Sequence, residues 1–416
     1  MRVFLQTFGC RANHYDSETA RAMIASAGHV VVERADEADV ALFNSCAVTR
    51  EAEADLRAAV RRAARAQPAL RTVIMGCATG LGAHRGDDSL RALPSVESLV
   101  AGADLTALAG ALGLPTDAAI VHAARQTTAR ALLRVQDGCD EHCTFCATTL
   151  ARGANRSRPA QALVAEARKL AAHHEEIVIT GIHIGSYGAD AGSSLGALVE
   201  MLVRDVPRVR FRLSSLEATE VDARLFDLLV GEPSRVAPHL HAPLQSGSNA
   251  VLKRMGRHWY TAEAYAAVVE RLAAARPVFG IGADVIVGFP GESDEDHERT
   301  VELVNRLPFT YLHVFPFSMR PGTAAERLGK PTMPTVVSQR ARQLREIGTR
   351  KAAHYRASRV GGEADVIVVR DGTPGQREGV TGDYLSVLPG APSLPRGTRY
   401  FARLRSEGSR LIAEPM

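Results

Sequence analysis

The sequence predicts an α/β protein in three parts: an N-terminal parallel α/β domain over residues 1–120, a central partial barrel of six β/α units over 128–355, and a small C-terminal β-barrel over 356–416. Three observations predict it. Short apolar runs alternate with helical stretches through most of the chain, and parallel strands joined this way need helical crossovers. The runs fall into two series, separated by residues 105–128, which read as a helix followed by a loose connection. Beyond residue 360 the pattern changes to short β-rich runs between Gly and Pro turns. At 416 residues the chain can bury two or three separate cores. With 46% hydrophobic and 23% charged residues it has the composition of a folded protein, which excludes extended disorder.

The first series reads strand, helix, strand, helix, strand. "RVFLQTF" is an apolar run, "DSETARAMIASAG" a helix stopped at Gly28, and "DVALFNSC" a second run. "REAEADLRAAVRRAARAQP" is helical up to Pro68, and "RTVIMGC" is a third strand. Each strand stops in a cysteine, at Cys10, Cys46 and Cys77. Consecutive strands of a parallel α/β sheet end on one edge, so these three thiols are expected to converge. The second series supplies six strands, "LLRVQDG", "EIVITGI", "VRFRLSS", "LHAPLQS", "ADVIVGF" and "LHVFPFS", whose C-terminal ends form the expected catalytic edge. Residues 334–359 read as a helix with seven Lys or Arg against one Glu. No stretch of about 20 apolar residues is available to cross a bilayer. The start "MRVFLQTFGCRANHYDSE" lacks a secretory pattern, so a cytoplasmic protein without a membrane partner is expected.

Six cysteines are too few for a disulfide scaffold in so long a chain. Half of them, Cys139, Cys143 and Cys146, lie in "DGCDEHCTFC" just after the first barrel strand. Thiolates are soft ligands for zinc, Cu(I) or iron–sulfur clusters. A Cys3His zinc site completed by His142 is one reading, although adjacent ligands at His142 and Cys143 fit tetrahedral spacing poorly. The other is a cubane cluster with one iron left open for a cofactor.

The C-x3-C-x-aromatic-C spacing resembles the radical S-adenosylmethionine (SAM) superfamily, and the wider chain resembles its methylthiotransferase branch. The matching runs are "TFGCRANHYDSE", "NSCAVT", "MGC", "DGCDEHCTFC", "ARGANRSRP", "TGIHIGSYG", "RLSSLE", "HLHAPLQSGSNAVLKRMGR", "DVIVGFPGESDE" and "HVFPFSMRPGT", in order over residues 3 to 324. The tail is similar to the RNA-binding TRAM module of these enzymes. Within the branch, "NSCAVT" and "YLHVFPFSMRPGT" are most like the enzymes that modify N6-threonylcarbamoyladenosine (t6A) at position 37 of tRNA.

The resemblance implies two 4Fe-4S clusters. Cys139, Cys143 and Cys146 would hold the one that binds and cleaves SAM, and Cys10, Cys46 and Cys77 an auxiliary one where the inserted sulfur is carried. The radical from SAM would abstract hydrogen from C2 of the adenine, so no catalytic acid–base side chain is assigned. Cofactor contacts are expected at Phe145, Gly181, Glu217, Gln245, Arg152 and Asp284. For Glu217 and Asp284 the alternative is an ion pair at the barrel rim. For Arg152, with Arg156 and Arg158, the expected partner is the SAM carboxylate or a tRNA phosphate, and the alternative is a solvent-facing cluster. His183, His239 and His241 read as packing or hydrogen-bonding residues. The partners implied are the tRNA anticodon loop and an electron donor such as flavodoxin or ferredoxin. The basic helix and tail would dock the RNA, with Tyr384, Tyr400 and Phe401 as stacking surfaces. Related chemistry on a ribosomal-protein aspartate, or on isopentenyladenosine in tRNA, is the alternative activity.

Overall fold

The computed structural model describes residues 1–47, 50–115, 122–372, 376–391 and 393–416, so Val48 and Thr49 of the second cysteine run, and residues 116–121 of the expected connection, lie outside the described residues. The chain divides into two compact units, one made of residues 1–127, 136–141 and 146–156 and the other of 128–135, 142–145 and 157–416.

In the first unit a five-stranded parallel sheet has the order β2-β1-β3-β4-β5. Its strands are β1 (Arg2–Thr7), β2 (Val30–Val32), β3 (Val40–Ser45), β4 (Arg71–Gly76) and β5 (Val96–Ala101). The sequence reading found β1, β3 and β4. It missed β2, three residues long, and β5, whose "VESLVA" has no clear period. Four helices accompany the sheet: α1 (Arg11–Ser26), α2 (Arg50–Ala66), α3 (Cys77–Arg85) and α4 (Leu105–Leu112). Leu42 and Val73 pack on one face with Ile24 of α1 and Leu108 of α4, while Phe43 and Ile74 pack on the other with Leu56 and Val60 of α2. Both faces are covered, which is why β3 is buried along its whole length and reads as a continuous apolar run. Register then fixes the strand ends: Thr7 lies opposite Asn44, and Ser45 opposite Gly76.

Past the two-residue strand β7 (Gln136–Asp137) the same unit carries α5 (Thr148–Arg152), and its segment ends at Arg156, the first residue of β8 (Arg156–Ser157). Ala147 and Ala151 bury against the cluster that contains Leu81 of α3.

The second unit holds all six expected strands: β6 (Ala131–Arg134), β9 (Glu176–Thr180), β10 (Arg210–Leu213), β11 (His239–His241), β12 (Gly280–Val287) and β13 (Tyr311–Pro316). They form two parallel sheets, β10-β9-β6 and β11-β12-β13, joined by the parallel bridges Phe211↔Val236 and Ser215↔His241. Chain order therefore equals spatial order around a partial barrel, as right-handed β/α crossovers require. Helices α6 (Ala160–Ala171), α7 (Leu195–Asp205), α8 (Ala223–Gly231), α9 (Asn249–Arg254), α10 (Ala262–Ala275) and α11 (Asp294–Arg306) follow the strands. Leu198, Leu225, Val269 and Val304 from these helices share one core with Ile177, Phe211, Leu240 and Val285 from the strands. No helix among the described residues is long and apolar enough to cross a membrane.

The basic helix α12 (Pro334–Ser358) leads to a closed barrel, β14 (Glu363–Arg370), β15 (Glu378–Thr381), β16 (Ser386–Pro389), β17 (Arg399–Glu407) and β18 (Arg410–Pro415), in the order β14-β15-β16-β18-β17. Closure removes the sheet edges. This barrel meets the first residues of β9 and β10, at the end opposite the strands' C-termini. Glu176 accepts from Arg210 at 2.6 Å and Arg212 at 2.8 Å, while Arg210 donates to Asp365 O at 2.9 Å and Arg212 to Thr381 O and Gly382 O at 2.9 and 3.0 Å. Tyr384, at φ +69°, stacks on His239 at 4.4 Å and lies 5.3 Å over Arg212. Tyr400 hydrogen-bonds Ala413 O and packs on the small barrel's core. Of the three aromatics expected to stack on RNA, Phe401 alone is well exposed, at 61%.

Candidate active site

In the first unit, the register sets Cys46 level with Cys77 and with Gly9, one residue before Cys10. Gly9 turns the chain at φ +103°, and a β-carbon there would lie 2.6 Å from Cys46 Cβ, so only glycine permits the approach. Cys10 caps α1 and Cys77 opens α3. Cys46 and Cys77 are buried, Cys10 is exposed, and both of the others add to the field at Cys77. Burial, with a smaller push from these neighbours, drives the Cys77 thiol up to about 11 against the opposing pull of Arg152. Three soft donors thus meet at one sheet edge.

Two residues that the sequence reading did not place here organise the edge. Asn13 donates to Phe8 O and Ser45 O at 2.8 Å each, bridging two strand ends, and its Oδ1 faces the Cys77 thiol at 3.7 Å. Asp16 pairs with Arg152 at 2.9 Å. Arg152, expected to meet a SAM carboxylate or a phosphate, is instead almost fully buried here: Nε reaches Cys77 Sγ at 3.3 Å, Nη2 Asn13 Oδ1 at 2.6 Å, and Nη1 Asp137 at 3.4 Å. Its donors are spent inside the unit. Arg156 remains half exposed beside Asp137, and Arg158, in the second unit, pairs with Glu166 at 2.6 Å.

Of the loop cysteines, Cys139 and Cys146 belong to the first unit. Cys139 N–H donates to Gly153 O at 3.0 Å, next to Gly138 at φ +73°, where a β-carbon would overlap the Ala154 carbonyl. Cys146 Sγ lies 3.0 Å from Thr148 Oγ1 at the start of α5. A β-carbon on Gly80 would overlap the Ala151 carbonyl, so α3 and α5 pack backbone to backbone. Gly80→Ala is expected to destabilise the unit by about 1–3 kcal/mol and to lower bound iron, both checked by thermal melting and iron analysis.

In the second unit, Cys143 receives Arg257 Nη1 at 3.5 Å. Arg257 also donates to Tyr260 OH at 3.0 Å and pairs closely with Glu217, whose other oxygen accepts from Trp259 Nε1. Glu217 therefore occupies the rim ion-pair role that was the alternative to a cofactor contact. Arg257 was not singled out from the sequence, because "KRMGRHWY" gives no sign of a partner 114 residues away. Thr144 N–H bonds Met255 O at 2.9 Å, and Phe145 packs edge-on to Phe289 at 6.3 Å, so this stretch of the loop is anchored to the end of α9.

Gln245 has φ +63°, a strained conformation for a side-chain-bearing residue, and bridges Val285 of β12. Asp284 precedes that bridge and accepts from His241 Nε2 at 3.0 Å and His313 Nδ1 at 3.1 Å. Burial alone would raise its carboxyl, but hydrogen bonds and charge from the two imidazoles outweigh burial and hold it well below the usual carboxylate range. Gly181 directly follows β9. His183 pairs with Glu220 at 2.7 Å, and His239 and His241 both bond Tyr311 OH, as the hydrogen-bonding reading expected.

Comparison with known proteins places this arrangement. A family model described as the Radical SAM superfamily matches residues 133–304, and one described as Uncharacterized protein family UPF0004 matches residues 2–102. Over 382 residues, 88% of this chain and 86% of that protein, the chain is 35% identical to the threonylcarbamoyladenosine tRNA methylthiotransferase MtaB of Thermotoga maritima. The chain belongs to the radical SAM methylthiotransferase family. As a methylthiotransferase it is a transferase that uses SAM and a 4Fe-4S cluster. It is also 33% identical, over 93% of its length and 92% of the relative's, to the tRNA-2-methylthio-N(6)-dimethylallyladenosine synthase of Cereibacter sphaeroides. The fold matches the radical SAM methyltransferase TsrM of Kitasatospora setae with a TM-score of 0.58, over 78% of this chain and 76% of that one at 15% identity. The donor sets of this methylthiotransferase suit the cluster chemistry: among the described residues the sole group of three His, Cys, Asp or Glu ligand atoms within 4.8 Å is His241, Asp284 and His313. The sulfurs of Cys10, Cys46 and Cys77 do not form such a group, so they are spaced more widely than the donors of a single tetrahedral ion, which sit under about 4 Å apart at a zinc–sulfur bond of about 2.3 Å.

Proposed function

We propose that this enzyme methylthiolates C2 of N6-threonylcarbamoyladenosine at position 37 of tRNA, giving the 2-methylthio derivative, in the cytoplasm. In this reading residues 1–120 carry an auxiliary 4Fe-4S cluster on Cys10, Cys46 and Cys77. Residues 128–355 form the radical SAM core, with its cluster on Cys139, Cys143 and Cys146, and residues 356–416 bind RNA. When bound, the clusters and SAM supply one-electron cleavage, the hydrogen-abstracting radical and the sulfur donor.

The chain's own residues do the positioning. Arg257 offers its guanidinium to the Cys143 sulfur and is itself held by Glu217 and Tyr260, so the charge beside that ligand is fixed in place. Arg152 does the same for Cys77 from the buried lattice of Asn13, Asp16 and Asp137. Phe145 packs on an apolar cluster of Val251, Met255 and Phe289, which fixes the loop on the C-terminal side of Cys143. Gln245, in its strained turn, and Gly181, at the end of β9, are the assigned contacts to cofactor or base. Arg342, Arg345 and Arg350 of α12 line one shallow groove with Thr349 and a single acid, Glu346, and Phe401 stays exposed on the small barrel; the net positive groove suits a phosphate backbone and the ring a stacked base. A small acidic donor such as flavodoxin or ferredoxin supplies the electron.

The observation that carries the choice of nucleoside is the polar inner face of β11, β12 and β13, where His241, Asp284 and His313 stand together. A threonylcarbamoyl substituent brings ureido and carboxylate groups that can hydrogen-bond at such a polar face, whereas a dimethylallyl group would only desolvate it. Mass spectrometry of nucleosides from cells lacking this gene is expected to show loss of the 2-methylthio form of t6A. Persistence of that nucleoside, together with loss of a methylthiolated adenosine of the dimethylallyl type or of a modified ribosomal aspartate, would move the assignment to those substrates.

A further inference from the structure

The His241, Asp284 and His313 group has a second use. We propose that these three side chains form a binding site for one divalent first-row transition-metal ion, separate from both cysteine triplets. The ligand atoms lie within 4.8 Å of one another, and Asp284 Oδ1 sits 3.0 Å from His241 Nε2 and 3.1 Å from His313 Nδ1. Donors about 2.1 Å from an ion sit about 3 Å apart in neighbouring positions of its shell. The carboxylate-to-imidazole edges already have that length. Two histidines and one carboxylate leave other positions open, as in sites for iron(II), manganese(II) or zinc.

The surroundings support a metal more specifically than the triangle alone. All three residues stand on parallel strands, in registered positions: His241 pairs with Gly282, and Asp284 with His313. A ligating imidazole normally has its outer nitrogen fixed by a hydrogen bond. His241 Nδ1 has that bond, to Tyr311 OH at 3.0 Å, and Tyr311 OH also meets His239 Nε2 at 2.8 Å. Gly282 makes this possible, because a β-carbon there would overlap the Tyr311 ring.

The chain of groups can serve both states. Without an ion, His241 Nε2–H and His313 Nδ1–H donate to Asp284, Tyr311 O–H donates to His241 Nδ1, and His239 Nε2–H donates to Tyr311. With an ion, His241 turns to its Nδ1–H tautomer, which donates to Tyr311, and the Tyr311 hydroxyl swings to His239 in its other tautomer. Asp284 remains the single negative group among the three. His313, whose side chain is 54% exposed, leaves the open coordination positions reachable from solvent.

Manganese(II) titration of the oxidised holoenzyme, followed by loss of the free-ion EPR signal, tests the site without any reference to the tRNA reading. The expected result is about one ion bound per chain, with affinity falling about tenfold or more in His313→Ala and in Asp284→Asn. Iron content and Trp259 fluorescence unchanged from the wild type show that each variant has kept its fold; if His313→Ala does not, His313→Phe keeps the ring without the donor. Binding of no manganese by the wild type, or equal binding by wild type and folded variants, overturns the proposal and leaves the group as a hydrogen-bonded network.

Discussion

Cys143→Ala is expected to abolish SAM cleavage, whereas Cys46→Ala is expected to leave SAM cleavage intact and stop sulfur transfer. Each variant should retain about four of the roughly eight irons of the reconstituted enzyme. The separation follows from the two proposed ligand sets. Cys46 lies at the end of β3, level with Cys77, inside a sheet edge whose other contacts are Asn13, Ser45 and Arg152. Cys143 belongs to the second unit, with Arg257 as its polar neighbour. Under the proposed ligand sets, removing one thiol strands the other two of its own triplet, since a cube held at two corners is open to water and oxidation, and leaves all three thiols of the other set in place. The Cys77 thiol adds a direction with pH. Burial pushes it up to about 11, so, if Cys77 ligates iron as proposed, the proton it must lose makes cluster assembly weaker as pH falls. Iron and sulfide analysis with 5′-deoxyadenosine assays on both variants reads the result. Loss of SAM cleavage in folded Cys46→Ala would merge the two sites, and uptake of only about four irons by the wild type would remove one of them.

Much of this arrangement is visible in the sequence because two simple regularities reach far. Parallel strands end on one edge, so "QTFGC", "FNSC" and "VIMGC" could be brought together without knowing any contact. Six apolar runs separated by helical stretches give the barrel strands in their observed order. What is not visible depends on pairs distant in sequence. Arg152 looks like a ligand-binding arginine until the fold places Asn13 and Asp16, more than 130 residues earlier, against it. Arg257 and the union of His241 with His313 are hidden for the same reason. Tyr384 stacks inward on His239 rather than outward, because nothing local in a turn of a small barrel shows which way an aromatic faces. Local pattern sets where strands end; which charges meet there is decided by packing.

The joint between the partial barrel and the small barrel holds a fully buried charge cluster, and its signature lies in the sequence. "VRFRL" alternates Arg210 and Arg212 with Phe211 at strand period, which puts both guanidiniums on one face and the ring in the core. Both arginines are essentially fully buried, and Glu176 between them is completely so. Burial would raise the Glu176 carboxyl, but Arg210, Arg212 and Arg130 hold it well below the usual carboxylate range. Glu176→Gln is therefore expected to destabilise the second unit by about 3–5 kcal/mol, because two buried guanidiniums lose their counter-charge. The sign of the pH effect follows from the depressed folded value. The stabilisation is fully present above the unfolded carboxylate's ordinary value of 4.5 and is lost as pH falls below it toward the folded value. The gap between wild type and variant should thus stay constant from neutral pH down to about pH 5 and narrow only in stronger acid. Trp259, the single tryptophan of the chain, lies in this unit and reports its unfolding in denaturant. An unchanged midpoint in Glu176→Gln, or a gap that narrows between pH 8 and about pH 5, would show that the arginines find their counter-charge in Asp365 and the Thr381 and Gly382 carbonyls alone.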